Sequence, residues 1–349
     1  MTDTQATPLD TLSSSGRRWL TWIRRHQEKL WWLHSLYALL LGVGMMWLGR
    51  HNFTFLRVAM FHLSFIWLSS IVLPKLLRRE RGPSQWAGRL PLLINFLNKN
   101  LYQQMLFFVL PIYYASATPD SRNIVFVLLI GLSALLSTLD IVYDRHLAVK
   151  RYLTAGFFAF NLFALINVML PILWSVSNTL TTRISGVLAF IGFLTLGYPA
   201  AQSFIRRMAL VLGAAIAFFA LAELGRPFIP PAPLRIASVE FGTEFERQSL
   251  QMLAPMMELK PGRSIQLYGL TAIRAPLGLR EKLRHRWYEN GKTVFDSSFY
   301  NIEGGRAEGF RVWTSCTFSE VKPNANIRLD LETEGGQLIG RATLFARQE

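Results

Sequence analysis

The sequence predicts two unlike parts: a membrane all-α bundle of about seven transmembrane helices, then a C-terminal all-β sandwich of immunoglobulin-like layout. Three observations carry this. Only 17% of the 349 residues are charged, against about 25% in soluble chains. Seven apolar runs precede residue 226, each near the length of about 20 residues that a spanning helix needs. Beyond a proline-rich stretch, the hydrophobic period changes from helical to alternating.

Residues 1–29 form a polar tail that turns basic at Arg17, Arg18, Arg24, Arg25 and Lys29. With no small-residue cleavage site after a short apolar core, the first run reads as an uncleaved helix. The predicted spans run about Leu30–Leu48, Phe55–Leu73, Leu101–Thr118, Ile124–Tyr143, Tyr152–Trp174, Ile184–Tyr198 and Met208–Leu224, within a bundle of residues 30–225. Between the second and third spans, Trp86–Leu97 suits a segment lying flat in the interface.

Charge sets the orientation. The net charge is +15, of which residues 1–225 carry +12 and residues 226–349 carry +3. The excess lies in the membrane half, which argues against nucleic acid as a partner and for topology signals. With a cytoplasmic N-terminus and alternating spans, the cytoplasmic segments hold 16 Lys and Arg and the opposite side 4. The positive-inside rule selects that arrangement. Seven is odd, so the C-terminal part is expected in the periplasm of a bacterial inner-membrane protein.

Residues 226–235, rich in proline between Pro227 and Pro233, read as a semi-rigid spacer. Residues 236–349 read as the sandwich. Asn326–Glu332 alternates strictly, with Ile327, Leu329 and Leu331 on one face and Arg328, Asp330 and Glu332 on the other. Asn290-Gly291 signals a type I′ hairpin turn, and Glu334–Gln337 a second turn. Further strands are expected at 263–273, Lys282–Tyr288, Thr293–Ile302, Phe310–Phe318 and Leu338–Ala346, and a helix around Glu246–Met257.

Chemistry is sparse. The single cysteine, Cys316, excludes an intrachain disulfide and any multi-cysteine metal site. No cofactor or metal is expected, since Walker, GxGxxG, GxSxG and HExxH patterns are absent. Asp140 and Asp144 share a helical face, with His146 after them. Charge inside a span costs about 2.5–3.5 kcal/mol and marks an intramembrane polar site; the competing reading is a helix end whose acids pair locally. Asn161, Asn167, His62, Gln103 and Gln104 read as interhelical hydrogen-bond groups. In the β part, Leu283, His285 and Trp287 share the core face, where a histidine is a hydrogen-bonded core residue before it is a catalyst. Arg280, Arg306 and Arg311 are candidate anion-binding groups, the last two flanked by glycines, with pairing to Glu303 or Glu308 as the alternative.

The stretches Leu270–Arg280, His285-x-Trp287, Gly304-Gly-Arg-x-Glu-Gly-Phe-Arg311 and Gly335-x-x-x-x-Gly340 cover most of residues 264–349. With them the chain resembles an uncharacterised bacterial polytopic inner-membrane family whose C-terminal part is a domain of unknown function. Gln103–Ser116 and Phe157–Pro171 are similar to that family's membrane part. The resemblance implies the architecture and carries no activity. Two functions therefore stand. One is a non-enzymatic envelope protein whose periplasmic sandwich binds a protein or glycan partner. The other is a membrane-embedded enzyme or transporter for a lipid-linked or small anionic substrate, working at Asp140, Asp144 and His146.

Overall fold

The computed structural model describes residues 105–138, 150–199, 203–262 and 264–347. The basic tail, the first two expected spans, the interfacial segment and the Asp140/Asp144/His146 group lie outside these residues.

Among the described residues there are five α-helices: α1 (Met105–Ala115), α2 (Ile124–Thr138), α3 (Arg151–Trp174), α4 (Asn178–Gly197) and α5 (Phe204–Leu224). The last three are long and apolar enough to cross a membrane, rising about 30–36 Å at 1.5 Å per residue. α3 stays helical because nothing but Pro171 interrupts it, and it stops at Ser175, which takes a left-handed conformation. α4 starts six residues before the expected Ile184, since the polar Asn178, Thr181 and Thr182 are buried helix residues.

α3 and α4 pack through small residues. Ser185, Ala189 and Gly192 of α4 are buried, and a methyl group added at Gly192 would lie 2.7 Å from Leu162 Cδ2. Small residues at these positions let the two helix backbones approach closely. Hydrogen bonds cross the same bundle. The Tyr113 hydroxyl donates to Ala164 O at 3.0 Å and accepts from Asn167 Nδ2 at 3.1 Å. Thr182 Oγ1 donates to Asn167 Oδ1 at 3.3 Å, so Asn167 joins α1, α3 and α4. α5 is different: apart from Ala222, its apolar residues, including Phe204, Ile205, Phe219 and Leu224, are not buried.

The C-terminal region is β-rich. β1 (Arg235–Gly242), β4 (Pro255–Met256), β5 (Ile265–Arg274) and β9 (Phe310–Phe318) form one antiparallel sheet in the order β4-β1-β5-β9. β6 (Arg280–Glu289), β7 (Lys292–Asp296), β10 (Asn326–Thr333) and β11 (Leu338–Phe345) form a second, ordered β11-β10-β6-β7, with β8 (Tyr300–Glu303) also on β6. β2 (Phe245–Glu246) and β3 (Gln251–Met252) make a small hairpin. The two sheets share their cores: Phe241, Leu267, Cys316 and Phe318 of the first pack with Trp287, Ile327, Leu329 and Leu344 of the second. Asn290 and Gly291 both have positive φ, as a type I′ turn requires.

Three expectations need correction. Glu246–Met257 is not a helix but β2, β3 and β4. Leu250 turns the hairpin at positive φ, and Met252 packs so close to Gly242 that a Cβ there would sit 2.5 Å from its sulfur. Thr293–Ile302 is not one strand. Ser297 accepts from His285 N at 3.0 Å and donates its own N–H to His285 O at 2.9 Å, which separates β7 from β8. The proline stretch is not a spacer. Arg226–Phe228 is a 3₁₀ turn, Ile229 and Ala232 are buried in the helical core, and Leu234 is buried in the β core.

The two halves are therefore joined by contact as well as by chain. Asn123 Nδ2 donates to Leu338 O at 3.0 Å, Gln337 Nε2 donates to Ile229 O at 3.0 Å, and Arg341 reaches Asp120 at 3.3 Å. Ser175 Oγ donates to Leu277 O at 3.2 Å. The α1–α2 turn, the α3–α4 turn and the end of α5 all lie at one end of the bundle, against the β region.

Candidate functional site

The sequence-predicted residues separate into three places. His285 and Trp287 point into the core from β6 and are fully buried. Trp287 Nε1 donates to Thr314 Oγ1 at 2.9 Å, and His285 lies 2.9 Å from Thr314 through Nδ1 and 2.9 Å from Thr271 through Nε2. Thr271 Oγ1 donates to Val312 O at 3.4 Å. Each donor finds an acceptor only if Thr314 donates to Nδ1 and His285 donates from Nε2 to Thr271 (a neutral imidazole). Burial pushes its pKa down to about 3. With no water access, this histidine crosslinks the two sheets.

Arg311 lies on the outer face of the first sheet, paired across from Ala272. Its guanidinium donates to Leu250 O at 3.1 Å and lies 3.6 Å from Glu308, so it holds the β2–β3 hairpin down. Under that hairpin is an aromatic group. Phe245 stacks on Tyr268 with centroids 5.9 Å apart, and meets Trp313 at 4.8 Å. Arg247 lies over Trp313 at 5.4 Å. These rings are half-buried and Arg247 is exposed.

Arg280 and Arg306 are brought together. They line one cleft of about 600 Å³ with Ser177, Thr179, Glu303 and Glu334. One wall is the start of α4; the others are β6, β8 and the loop 304–309. Glu281 anchors the floor. Buried in the sheet, its carboxylate accepts the backbone N–H of Asn178 at 2.6 Å and the Asn178 side-chain amide at 3.1 Å. It thus satisfies an orphan N–H in the first turn of α4, where a negative charge also suits the helix dipole. Desolvation is the larger influence and raises the Glu281 pKa, against the lowering by Asn178. Arg280 is 82% exposed and only 3.9 Å from Glu303. Lys282 and Glu334 pair at 3.1 Å. Arg306 lies 4.7 Å over the Phe310 ring.

The outer face of β6 and β10, expected to be solvated, is an ionic ladder. Asp330 accepts from Arg341 through both oxygens, at 2.8 and 2.9 Å, and meets Arg328 at 3.3 Å, leaving its side chain 3% exposed. Glu332 takes Arg284 at 3.2 Å and Arg286 at 3.4 Å. Hydrogen bonds to Asp296 and to Asp330 hold the guanidinium pKa values of Arg286 and Arg341, respectively, above their ordinary range.

Sequence reasoning missed Glu281, Thr271 and Thr314. The hydroxyl pair left a signal: Thr314 interrupts the apolar face Phe310, Val312, Cys316, Phe318. Glu281 left none, because its partner lies 103 residues away. Among the described residues, no three His, Cys, Asp or Glu converge as metal ligands.

Residues 11–272 match a family of unknown function, DUF5924, and the chain belongs to that family. No curated protein matches it. Among solved structures it aligns with the Pseudomonas fluorescens alkylpurine DNA glycosylase AlkC bound to DNA containing an abasic site analogue, at 10% identity over 72% of this chain and 99% of that one. The TM-score is 0.22, too low to carry a likeness of fold.

Proposed function

For this member of a family with no assigned activity, we propose a non-enzymatic role: a polytopic bacterial inner-membrane protein that presents a periplasmic β-sandwich to an envelope protein or glycan. The observation that carries this is the docking of the β region on one end of the helices. Glu281 on the first turn of α4, Asp120 on Arg341 and Asn123 on Leu338 support a module of set orientation at a membrane surface. The strand order β4-β1-β5-β9 against β11-β10-β6-β7, with Trp287 buried on the first strand after the crossover, supports the immunoglobulin-like layout. The charge asymmetry of the spans supports a cytoplasmic N-terminus and seven crossings. The surface on offer is the outer face of the first sheet, where Trp313, Tyr268 and Phe245 give the amphipathic ring area that binding surfaces use.

The test has two arms. An alkaline phosphatase fused after Pro233 should be active, and a photo-crosslinker at Gln266, two residues from Tyr268 on that face, should capture one discrete partner. Trp313→Ala should abolish capture while leaving membrane insertion intact. An inactive phosphatase, or capture indifferent to Trp313, overturns the proposal.

A further inference from the structure

The junction cleft is placed where lipid headgroups would lie if α3, α4 and α5 span the membrane, and the inference below rests on that reading. α3 ends at Trp174, which is 65% exposed, and α4 begins at Asn178. Between them, Ser175 holds the loop that carries Leu277. Leu277 is 65% exposed, and its Cδ1 would lie 2.5 Å from a methyl group added at Gly305, the residue before Arg306. Leu277 thus borders the cleft at the end of the spans, and Trp174 stands three residues before Ser177 in its wall. Aromatic residues are enriched at this depth because one side of the ring meets acyl chain and the other water.

The charges inside the cleft define what it accepts. Glu281 is engaged by Asn178, and Lys282 with Glu334. Arg280 and Glu303 are exposed and 3.9 Å apart, a separation at which a surface pair contributes about 0–1 kcal/mol and is readily exchanged. Arg306 rests on Phe310 and makes no ion pair among the described residues. The Thr179 hydroxyl, also lining the cleft, is buried without a hydrogen-bond partner. Two guanidiniums, one carboxylate and a free hydroxyl remain. A simple anion would meet Glu303, and a simple cation would meet two arginines. A phosphate ester that also carries an ammonium satisfies both, since arginine grips phosphate through paired N–H donors and the carboxylate takes the ammonium.

We propose that the junction cleft is a headgroup site for a phospholipid bearing a primary ammonium, with Arg280 and Arg306 on the phosphate, Glu303 on the ammonium, and Leu277 and Trp174 against the acyl chains.

The full chain is reconstituted in nanodiscs of equal parts phosphatidylethanolamine, phosphatidylcholine and phosphatidylglycerol, extracted into detergent, and its retained lipid identified by native mass spectrometry. One phosphatidylethanolamine should remain, favoured about tenfold, as loss of a charge-assisted hydrogen bond predicts for the other two lipids. Arg280→Gln with Arg306→Gln should lower retention of every lipid about tenfold or more. Glu303→Gln should preserve retention and erase the preference over phosphatidylcholine. Protection of Cys316 from thiol reagents, unchanged in all variants, confirms that they fold. A soluble arm separates the sources: glycerophosphoethanolamine should displace the lipid and inorganic phosphate should not. Displacement by phosphate alone makes the cleft an anion site and overturns the proposal. Equal retention of the three lipids, or retention indifferent to Arg280 and Arg306, overturns it as well. Those outcomes leave the phosphatase result untouched, whereas an inactive phosphatase after Pro233 removes the membrane reading itself.

Discussion

Acidification should open the β region through His285. The imidazole is fully buried between Thr271 and Thr314, and its hydrogen-bond chain closes only in the neutral form. Burial pushes its pKa from 6.5 down to about 3. Between those values the unfolded chain binds the proton and the native one does not. Stability is therefore complete above pH 6.5 and is lost as the pH falls toward 3. At pH 5 the deficit is about 1.5 pH units, or about 2 kcal/mol, which raises the open population about thirtyfold. The molecule supplies its own reporter. Its single cysteine, Cys316, is buried in the same cluster as Trp287, and burial also pushes the thiol up to about 11. Labelling with an aromatic disulfide that reacts in acid therefore proceeds through opening. Rates at pH 7.5 and pH 5, each divided by the rate for the denatured chain, should differ about thirtyfold. His285→Gln keeps a donor and an acceptor but cannot charge, so most of the response should vanish. A wild-type change under about threefold, or an equal change in the variant, would refute the neutral, buried histidine.

Three further outcomes follow from single contacts. Glu281→Ala strips the backbone and side-chain N–H groups of Asn178 of their buried acceptor, a cost of about 1–3 kcal/mol; amide exchange at Asn178–Thr182 should accelerate while exchange in β9 and β10 does not. Asp330→Asn removes the charge between Arg341 and Arg328, and breaking a buried pair costs about 3–5 kcal/mol; Cys316 labelling should accelerate more than a hundredfold. Gly192→Leu drives a side chain into Leu162 and Phe158, and overpacking of about 1–3 kcal/mol should lower the temperature at which the detergent-solubilised bundle melts.

What the sequence makes legible is what depends on neighbours in the chain. Phe310–Phe318 has the same bounds in sequence and structure because alternation and the preceding Gly309 act locally. Asn290-Gly291 sets its turn for the same reason. The core side of His285 followed from period two. Errors arose where a distant group decides. Glu246–Met257 carries a helix-compatible composition, but Arg311, 61 residues away, holds Leu250 and thereby the hairpin. β1 escaped notice because a register shift between Ile236 and Ser238 breaks its alternation. The arginines were grouped by type, yet Arg311 and Arg306 lie on opposite sides of a turn at Gly309, whose φ is +95°, and reach different surfaces.

The proline stretch shows most clearly how a local reading of composition fails. Prolines between two unlike segments suggest a semi-rigid spacer that holds the β region close to the bundle. Instead Ile229 and Ala232 belong to the helical core and Leu234, two residues on, to the β core. A swing would expose all three and break the bonds at Asn123, Ser175, Asn178, Gln337 and Arg341. At a net 0.5–1.5 kcal/mol for each hydrogen bond, those five alone hold the junction by roughly 3–7 kcal/mol before apolar burial is counted. Proline serves here because a chain that must pass between two cores within a few residues gains from losing conformational freedom before it folds. The same rigidity ties Arg280 and Arg306 to the helix ends, so the cleft they line moves with the bundle and not with a tethered domain.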